Sequence, residues 1–145
     1  MSDARPVHLR PRAVLLVAVG GTIGTAAREA ISLAVPDLDG LPVAIFGINI
    51  AGALFLGALL EALARRGPDA GGRQAVRLFA GTGFAGGFTT YSALAVDGAA
   101  LIGDGRAAAG IGYLVATVLL GGLATWCGIL IGAAVARRGT GEAER

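Results

Sequence analysis

The sequence predicts an all-α integral membrane protein with four transmembrane helices, the third of them broken at mid-membrane. Three observations lead to this prediction. Hydrophobic residues make up 54% of the chain and charged residues only 15%, whereas soluble domains carry about 25% charged residues. Long apolar stretches alternate with short loops rich in Gly, Pro and Asp. One of the apolar stretches, 78–96, contains several poor helix formers.

The predicted spans follow from charge-free runs, because about 20 apolar residues are needed to cross a bilayer. The first run reaches this length only by continuing past Arg28 and Glu29, and it lacks a clear signal-peptide cleavage site, so we expect it to be retained as a helix. With nearly the whole chain in the bilayer, residues 1–145 form a single membrane domain. The predicted spans are about 13–35, 41–63, 76–98 and 107–136.

The third span is the most informative segment. Its centre contains four glycines in seven residues, followed by Thr89, Thr90, Tyr91 and Ser92. Lipid tolerates unwound backbone only where protein or a water-filled cavity covers it. A span that breaks at mid-depth therefore predicts an ion or solute site.

The charges predict how the chain is oriented. All 12 basic residues are arginines, and four helices with short loops place both termini and the second loop on one side. That side carries ten of the arginines, which predicts cytoplasmic termini in a multi-pass protein of the cell (inner or plasma) membrane. These ten are Arg5, Arg10, Arg12, Arg65, Arg66, Arg73, Arg77, Arg137, Arg138 and Arg145, and the opposite side has only Arg28 and Arg106. Because this distribution sets topology, we expect no nucleic-acid partner.

The chain shows no pattern typical of an enzyme. The letters Gly-x-Gly-x-x-Gly occur at Gly81, Gly83 and Gly86, but a spanning segment leaves no room for the strand–turn–helix unit that binds a dinucleotide. No phosphate-binding loop is present, and the single histidine cannot form a His pair or a catalytic triad. The only cysteine, Cys127, excludes an intrachain disulfide.

Polar residues within the spans are candidate site residues. Asn49 lies near the middle of the second span, where its amide either bonds to a neighbouring helix or lines a pore as an uncharged anion donor. Arg28, near the end of the first span, either reaches the interface or raises the anion concentration in a vestibule. Tyr113 and Thr117 are four residues apart and share one face of the last helix.

These features together resemble the Fluc (CrcB) family of fluoride channels over nearly the whole chain. Three motifs carry the resemblance, and the last is the most specific. They are Gly20-Gly21-x-x-Gly24-x-x-x-Arg28, Asn49-x-x-Gly52 with Gly57, and Gly83-Phe84-x-Gly86-Gly87-Phe88-Thr89-Thr90-Tyr91-Ser92.

The resemblance implies an antiparallel dimer with two fluoride pores and a structural sodium ion at the dimer interface. Backbone carbonyls of Gly86 and Thr89 from both chains would hold the sodium. The implied fluoride pathway comprises Asn49, Tyr91, Ser92, Leu94, Tyr113 and Thr117, with Arg28 as the vestibule candidate. The chain departs from the family at Tyr91 and Leu94, where the family has phenylalanines, so one pore is expected to be weakened.

The resulting prediction is a passive, fluoride-selective channel that exports fluoride and lowers its toxicity in the cytoplasm. Membrane lipid surrounds it. The partner is either a second copy of the chain or a homologous chain of opposite orientation. The uneven distribution of arginines between the two sides, called the arginine bias below, favours the homologous chain. Two other functions are considered. One is a small proton-coupled multidrug transporter, which would need a membrane-embedded carboxylate that this chain lacks. The other is a non-conducting subunit of a heterodimeric channel.

Overall fold

The computed structural model describes residues 6–143 and is helical throughout, apart from its loops. Arg5 and Arg145, which contribute to the charge argument, lie outside the described residues, as does the side chain of Arg138. A short 3₁₀ turn, Val7–Leu9, precedes the main elements. These are α1 (Pro11–Ala34), α2 (Val43–Ala64), α3 (Gly71–Val76), a π-helix (Arg77–Ala85), α4 (Gly86–Phe88), α5 (Tyr91–Gly103) and α6 (Ala107–Ala143).

Three helices in the described part of the chain are long and apolar enough to cross a membrane. They are Pro11–Ala34, Val43–Ala64 and Ala107–Arg137, the last being most of α6. The remaining elements, from α3 to α5, follow one another over residues 71–103 and are called the broken segment below. The predicted all-helical class and the broken helix are therefore confirmed.

The break falls at the threonines and not at the glycines. Gly81, Gly83 and Gly87 lie in helical backbone, and the chain leaves helical geometry only at Thr89 and Thr90. Their ψ angles are 155° and 122°, which is extended backbone. The π-helix before the break was not predicted from the sequence.

Close packing between α1 and the broken segment accounts for several glycines on each of them. A Cβ at Gly20 would overlap the Phe79 carbonyl oxygen, and one at Gly24 would overlap that of Phe84. From the other side, a Cβ at Gly87 would overlap the Gly21 carbonyl oxygen. Small residues allow two helix backbones to approach this closely in a membrane.

The α2–α6 pair is packed in the same way. A Cβ at Gly128 would overlap the carbonyl oxygen of Leu54, and one at Gly132 would overlap that of Ala58. A Cβ at Gly57 would in turn overlap the Thr125 carbonyl oxygen. Close helix packing therefore accounts for the Gly128 and Gly132 pair, whose spacing of four residues puts both on one face of α6.

Arginines fix two of the loops. Arg106 donates to the carbonyl oxygens of Asp39 (3.0 Å) and Gly40 (3.2 Å). These bonds join the third loop (104–106) to the first loop (35–42). Arg77 donates from Nε to Asp69 Oδ2 (2.9 Å), and this hydrogen bond holds the pKa of Asp69 below its ordinary value of 3.8. The bond between Arg77 and Asp69 fixes the second loop (65–70) to the start of the π-helix.

Candidate functional site

The break in the broken segment is stabilised locally by Thr89. Its N–H and its Oγ1 both donate to the carbonyl oxygen of Ala85, at 3.0 and 2.9 Å. The side chain therefore doubles the last hydrogen bond of the helix that ends here. Its γ-methyl group lies against Gly52 of α2, where any Cβ would overlap it.

Asn49 of α2 forms two hydrogen bonds with the backbone of Thr90. Its Oδ1 accepts from the Thr90 N–H at 2.9 Å, and its Nδ2 donates to the Thr90 carbonyl oxygen at 3.1 Å. An amide side chain thus supplies one acceptor and one donor to a residue in extended geometry, as a neighbouring strand would. The interhelical hydrogen bond predicted for Asn49 is present, and Nδ2 has one further N–H.

The side chain of Thr90 restarts the helix. It is the N-cap of α5, where Oγ1 accepts from the Ala93 N–H at 3.2 Å. Such a cap satisfies one of the donors that every helix leaves unpaired at its start. Oγ1 also shares a 3.2 Å hydrogen bond with the Ser92 Oγ. Thr90 is 8% exposed, and its backbone and its side chain both form hydrogen bonds within the protein.

An open groove of about 290 Å³ lies beside the break and brings together four of the predicted pathway residues, Asn49, Tyr91, Leu94 and Thr117. Leu94 is buried at 7% exposure, whereas Tyr91 is 83% exposed at the rim. The remaining lining residues are Thr89, Thr90, Val118 and Gly121.

Tyr113 continues the polar face of α6 one turn before Thr117, outside this groove. Thr117 Oγ1 donates to the Tyr113 carbonyl oxygen at 2.7 Å. The Tyr113 hydroxyl donates to Asp97 Oδ2 at 3.4 Å, and its ring lies 6.5 Å from that of Phe46. Since each hydroxyl has one hydrogen, both donors are already used within the chain.

Besides Tyr113, three predicted site residues do not line the groove, namely Ser92, Arg28 and Gly86. Arg28 is a partly exposed residue in the last turns of α1 and does not line the groove. Gly86 is exposed, and a Cβ placed on it would meet nothing within 4 Å. The carbonyl of Gly86 therefore belongs to a residue on an open side of the chain.

Sequence reasoning gave no site role to Thr90 or Asp97. A local signal existed for Thr90, since threonine before the restart of an apolar helix is typical of an N-cap. No local signal exists for its pairing with Asn49, which is 41 residues away. Asp97 lies within α5 and accepts a hydrogen bond from the Tyr113 hydroxyl.

Apolar helices and a broken segment with an open groove beside the break define a helical membrane protein. Residues 15–129 match the family model described as CrcB-like protein, Camphor Resistance (CrcB). The chain therefore belongs to the CrcB family, which confirms the resemblance found in its motifs.

Several relatives cover most of the chain. It is 55% identical over 135 residues to the fluoride-specific ion channel FluC 2 of Leifsonia xyli subsp. xyli, with 92% of this chain and 93% of the relative aligned. It is 48% identical over 118 residues to the fluoride-specific ion channel FluC 1 of Cutibacterium acnes (81% and 82% aligned). The fluoride-specific ion channel FluC of Chlorobium luteolum is 40% identical over 124 residues (83% and 92% aligned).

Proposed function

We propose that this chain is a subunit of a passive, fluoride-selective ion channel that carries fluoride out of the cell. The observation that supports this most directly is the open groove beside the break, where Asn49 offers an uncharged N–H donor. The relatives named above are channels and not enzymes. Hydrogen fluoride enters a cell by diffusion and dissociates, and the membrane potential then drives the trapped anion outward.

The fluoride pathway would be a row of weak, uncharged donors. The second N–H of Asn49 and the hydroxyl of Ser92 would solvate the anion near the break, together with the positive ring edge of Tyr91. Along α6, Thr117 and Tyr113 would have to exchange their internal hydrogen bonds for the ion. Leu94 offers no ring edge in the groove, so the fluoride pathway would be weakened there. Arg28 would attract anions at a vestibule away from the groove.

A structural sodium ion would lie at a dimer interface and bind the carbonyl oxygens of Gly86 and Thr89 from both chains. A hard cation prefers oxygen ligands, and an interrupted helix supplies them from its backbone. The chain fits such an ion because the break lies one residue beyond Gly86–Phe88, and Gly86 is open on one side. Sodium would cement the assembly and would not be transported.

The assembly would be an antiparallel dimer in which the broken segment is the third of four spans. The groove of a single chain is open to its surroundings, and Tyr91 is exposed at its rim, as expected for a half-site. The arginine bias favours a related chain of opposite orientation as the partner, and a second copy is the alternative. Both termini would be cytoplasmic in the cell membrane.

Fluoride efflux from liposomes tests the function. Purified protein should release fluoride at a rate that a fluoride electrode resolves, whereas chloride should stay trapped. Asn49→Leu removes the free donor together with both hydrogen bonds to the Thr90 backbone, and it should lower fluoride flux by at least about tenfold. Gly47→Ala is the matched control on α2, because a Cβ there meets nothing within 4 Å.

Two other outcomes would contradict the channel. Proton-linked drug movement without fluoride flux would indicate a transporter. Absence of flux from the chain, alone and with a related chain, would leave a structural subunit.

A further inference from the structure

Thr90 and Ala93 donate their N–H groups to side chains instead of to the backbone. In a continuous α-helix the N–H of residue i bonds to the carbonyl oxygen of residue i−4. The Thr90 N–H would therefore bond to the Gly86 carbonyl oxygen, but it bonds to Asn49 Oδ1 at 2.9 Å. The Ala93 N–H would bond to the Thr89 carbonyl oxygen, but it bonds to Thr90 Oγ1 at 3.2 Å.

The carbonyls released in this way are those of Gly86 and Thr89, the two proposed sodium ligands. Three neighbouring carbonyls keep donors. That of Ala85 accepts twice from Thr89, that of Gly87 accepts from Thr25 Oγ1 at 3.4 Å, and that of Thr90 accepts from Asn49. Side chains at the break therefore accept the two N–H groups that would otherwise bond to the Gly86 and Thr89 carbonyls, and side-chain donors reach the carbonyls of Ala85, Gly87 and Thr90.

We infer that Asn49 and Thr90 are positioning residues that keep the Gly86 and Thr89 carbonyls free to bind a cation. The inference rests on the proposed sodium site and adds what creates it. A helix interrupted only by sterics would re-form these two hydrogen bonds whenever the backbone relaxed. Here each competing N–H already has a side-chain acceptor, so the carbonyls stay available.

This arrangement assigns Asn49 a role besides any contact with fluoride. Its Oδ1 releases the Gly86 carbonyl, while its Nδ2 occupies the Thr90 carbonyl and removes it as a competing ligand. One amide therefore connects the anion groove to the cation site across the break. Loss of Asn49 should weaken both sites, whereas loss of the Thr90 hydroxyl should weaken the cation site first.

The test is the sodium concentration at which thermal stabilisation of the purified protein is half-maximal. Sodium chloride replaces N-methylglucamine chloride at constant ionic strength, so that ionic strength and chloride do not vary. Thr90→Val keeps the shape of the side chain but removes the acceptor, and the Ala93 N–H can then bond to the Thr89 carbonyl. We expect the sodium midpoint to rise about tenfold, the size of one net hydrogen bond.

Two variants separate this role from a general loss of stability. Thr90→Ser retains the acceptor and should keep the midpoint within about twofold of the unmodified protein. Thr125→Val removes a hydroxyl whose 3.0 Å bond goes to its own helix, at Gly121, and should also leave the midpoint unchanged. Amide hydrogen exchange gives a second readout, since the Ala93 amide should change partner only in Thr90→Val.

The outcomes are distinct. Equal sodium midpoints in Thr90→Val and the unmodified protein would overturn the positioning role, as would an equal shift in Thr125→Val. If the unmodified protein shows no sodium effect, the cation site and this inference both fail. Fluoride flux measured in sodium-free vesicles would then show whether the channel function stands without them.

Discussion

Asn49 illustrates how few hydrogen-bond donors this site leaves for a passing ion. Two of its polar groups hold the Thr90 backbone, so only one N–H remains for an anion. The hydroxyls of Thr117 and Tyr113 are likewise engaged, with a backbone carbonyl and with Asp97. A site with few spare donors binds weakly, and weak binding at successive positions is what conduction requires.

Tyr91 allows the role of the aromatic ring to be tested separately from that of its hydroxyl. Because its side chain is 83% exposed, Tyr91→Phe and Tyr91→Leu should change the stability of the chain by no more than about 0.5 kcal/mol. Tyr91→Phe keeps the ring edge and should retain fluoride flux, whereas Tyr91→Leu should lower it about tenfold. Electrode-monitored efflux and thermal unfolding measure the two effects.

Equal losses in Tyr91→Phe and Tyr91→Leu would show instead that the ion uses the hydroxyl.

The sequence identified Asn49 as a buried polar residue but not its partner. An amide in an apolar span must find hydrogen bonds, so its inward orientation follows from composition alone. Which backbone group it meets depends on how α2 lies against a segment 41 residues later, and this is decided by tertiary packing. The N-cap role of Thr90 was accessible from local sequence, since caps depend on neighbouring residues.

The helices of this protein are held together by backbone contact through glycines. Gly128→Ala should destabilise the α2–α6 pair by about 1–3 kcal/mol, because its Cβ would overlap the Leu54 carbonyl oxygen and force the helices apart. Gly122→Ala lies on the same helix and its Cβ meets nothing within 4 Å. This control should be neutral or stabilising by up to about 1 kcal/mol, because alanine favours helix.

Thermal or denaturant unfolding in detergent would compare the two variants. A Gly122→Ala loss as large as that of Gly128→Ala would contradict the packing account.

The π-helix and the position of the break were outside the reach of sequence reasoning. Helix propensity marks the glycine-rich centre of this segment as weak, yet its four glycines are helical, and α1 packs directly on two of them, Gly83 and Gly87. Intrinsic propensity is a weak prior that tertiary contacts override. No composition rule distinguishes a π-turn from an α-turn in a glycine-rich apolar stretch, since the two differ by one residue in hydrogen-bond register.

The distribution of arginine makes the orientation of the chain a testable property. With ten arginines on one side and two on the other, a chain expressed alone should insert with its termini in the cytoplasm. A C-terminal tag probed from each side of the membrane measures this. Replacing Arg65, Arg66 and Arg73 with glutamine should reduce the bias and produce a mixture of orientations.

Equal amounts of both orientations in the unmodified chain would favour a dimer of identical copies over a pair of related chains.

The hydrogen bonds between Asn49 and Thr90 also bear on how the protein is made. An extended residue in the bilayer needs a partner for its backbone groups as soon as it leaves the insertion machinery. Because α2 precedes the broken segment in the chain, Asn49 is synthesised before Thr90. In the proposed four-span arrangement, the Asn49 amide would therefore be available to the Thr90 backbone as soon as the broken segment inserts. α6 could then insert later without leaving Thr90 unpaired.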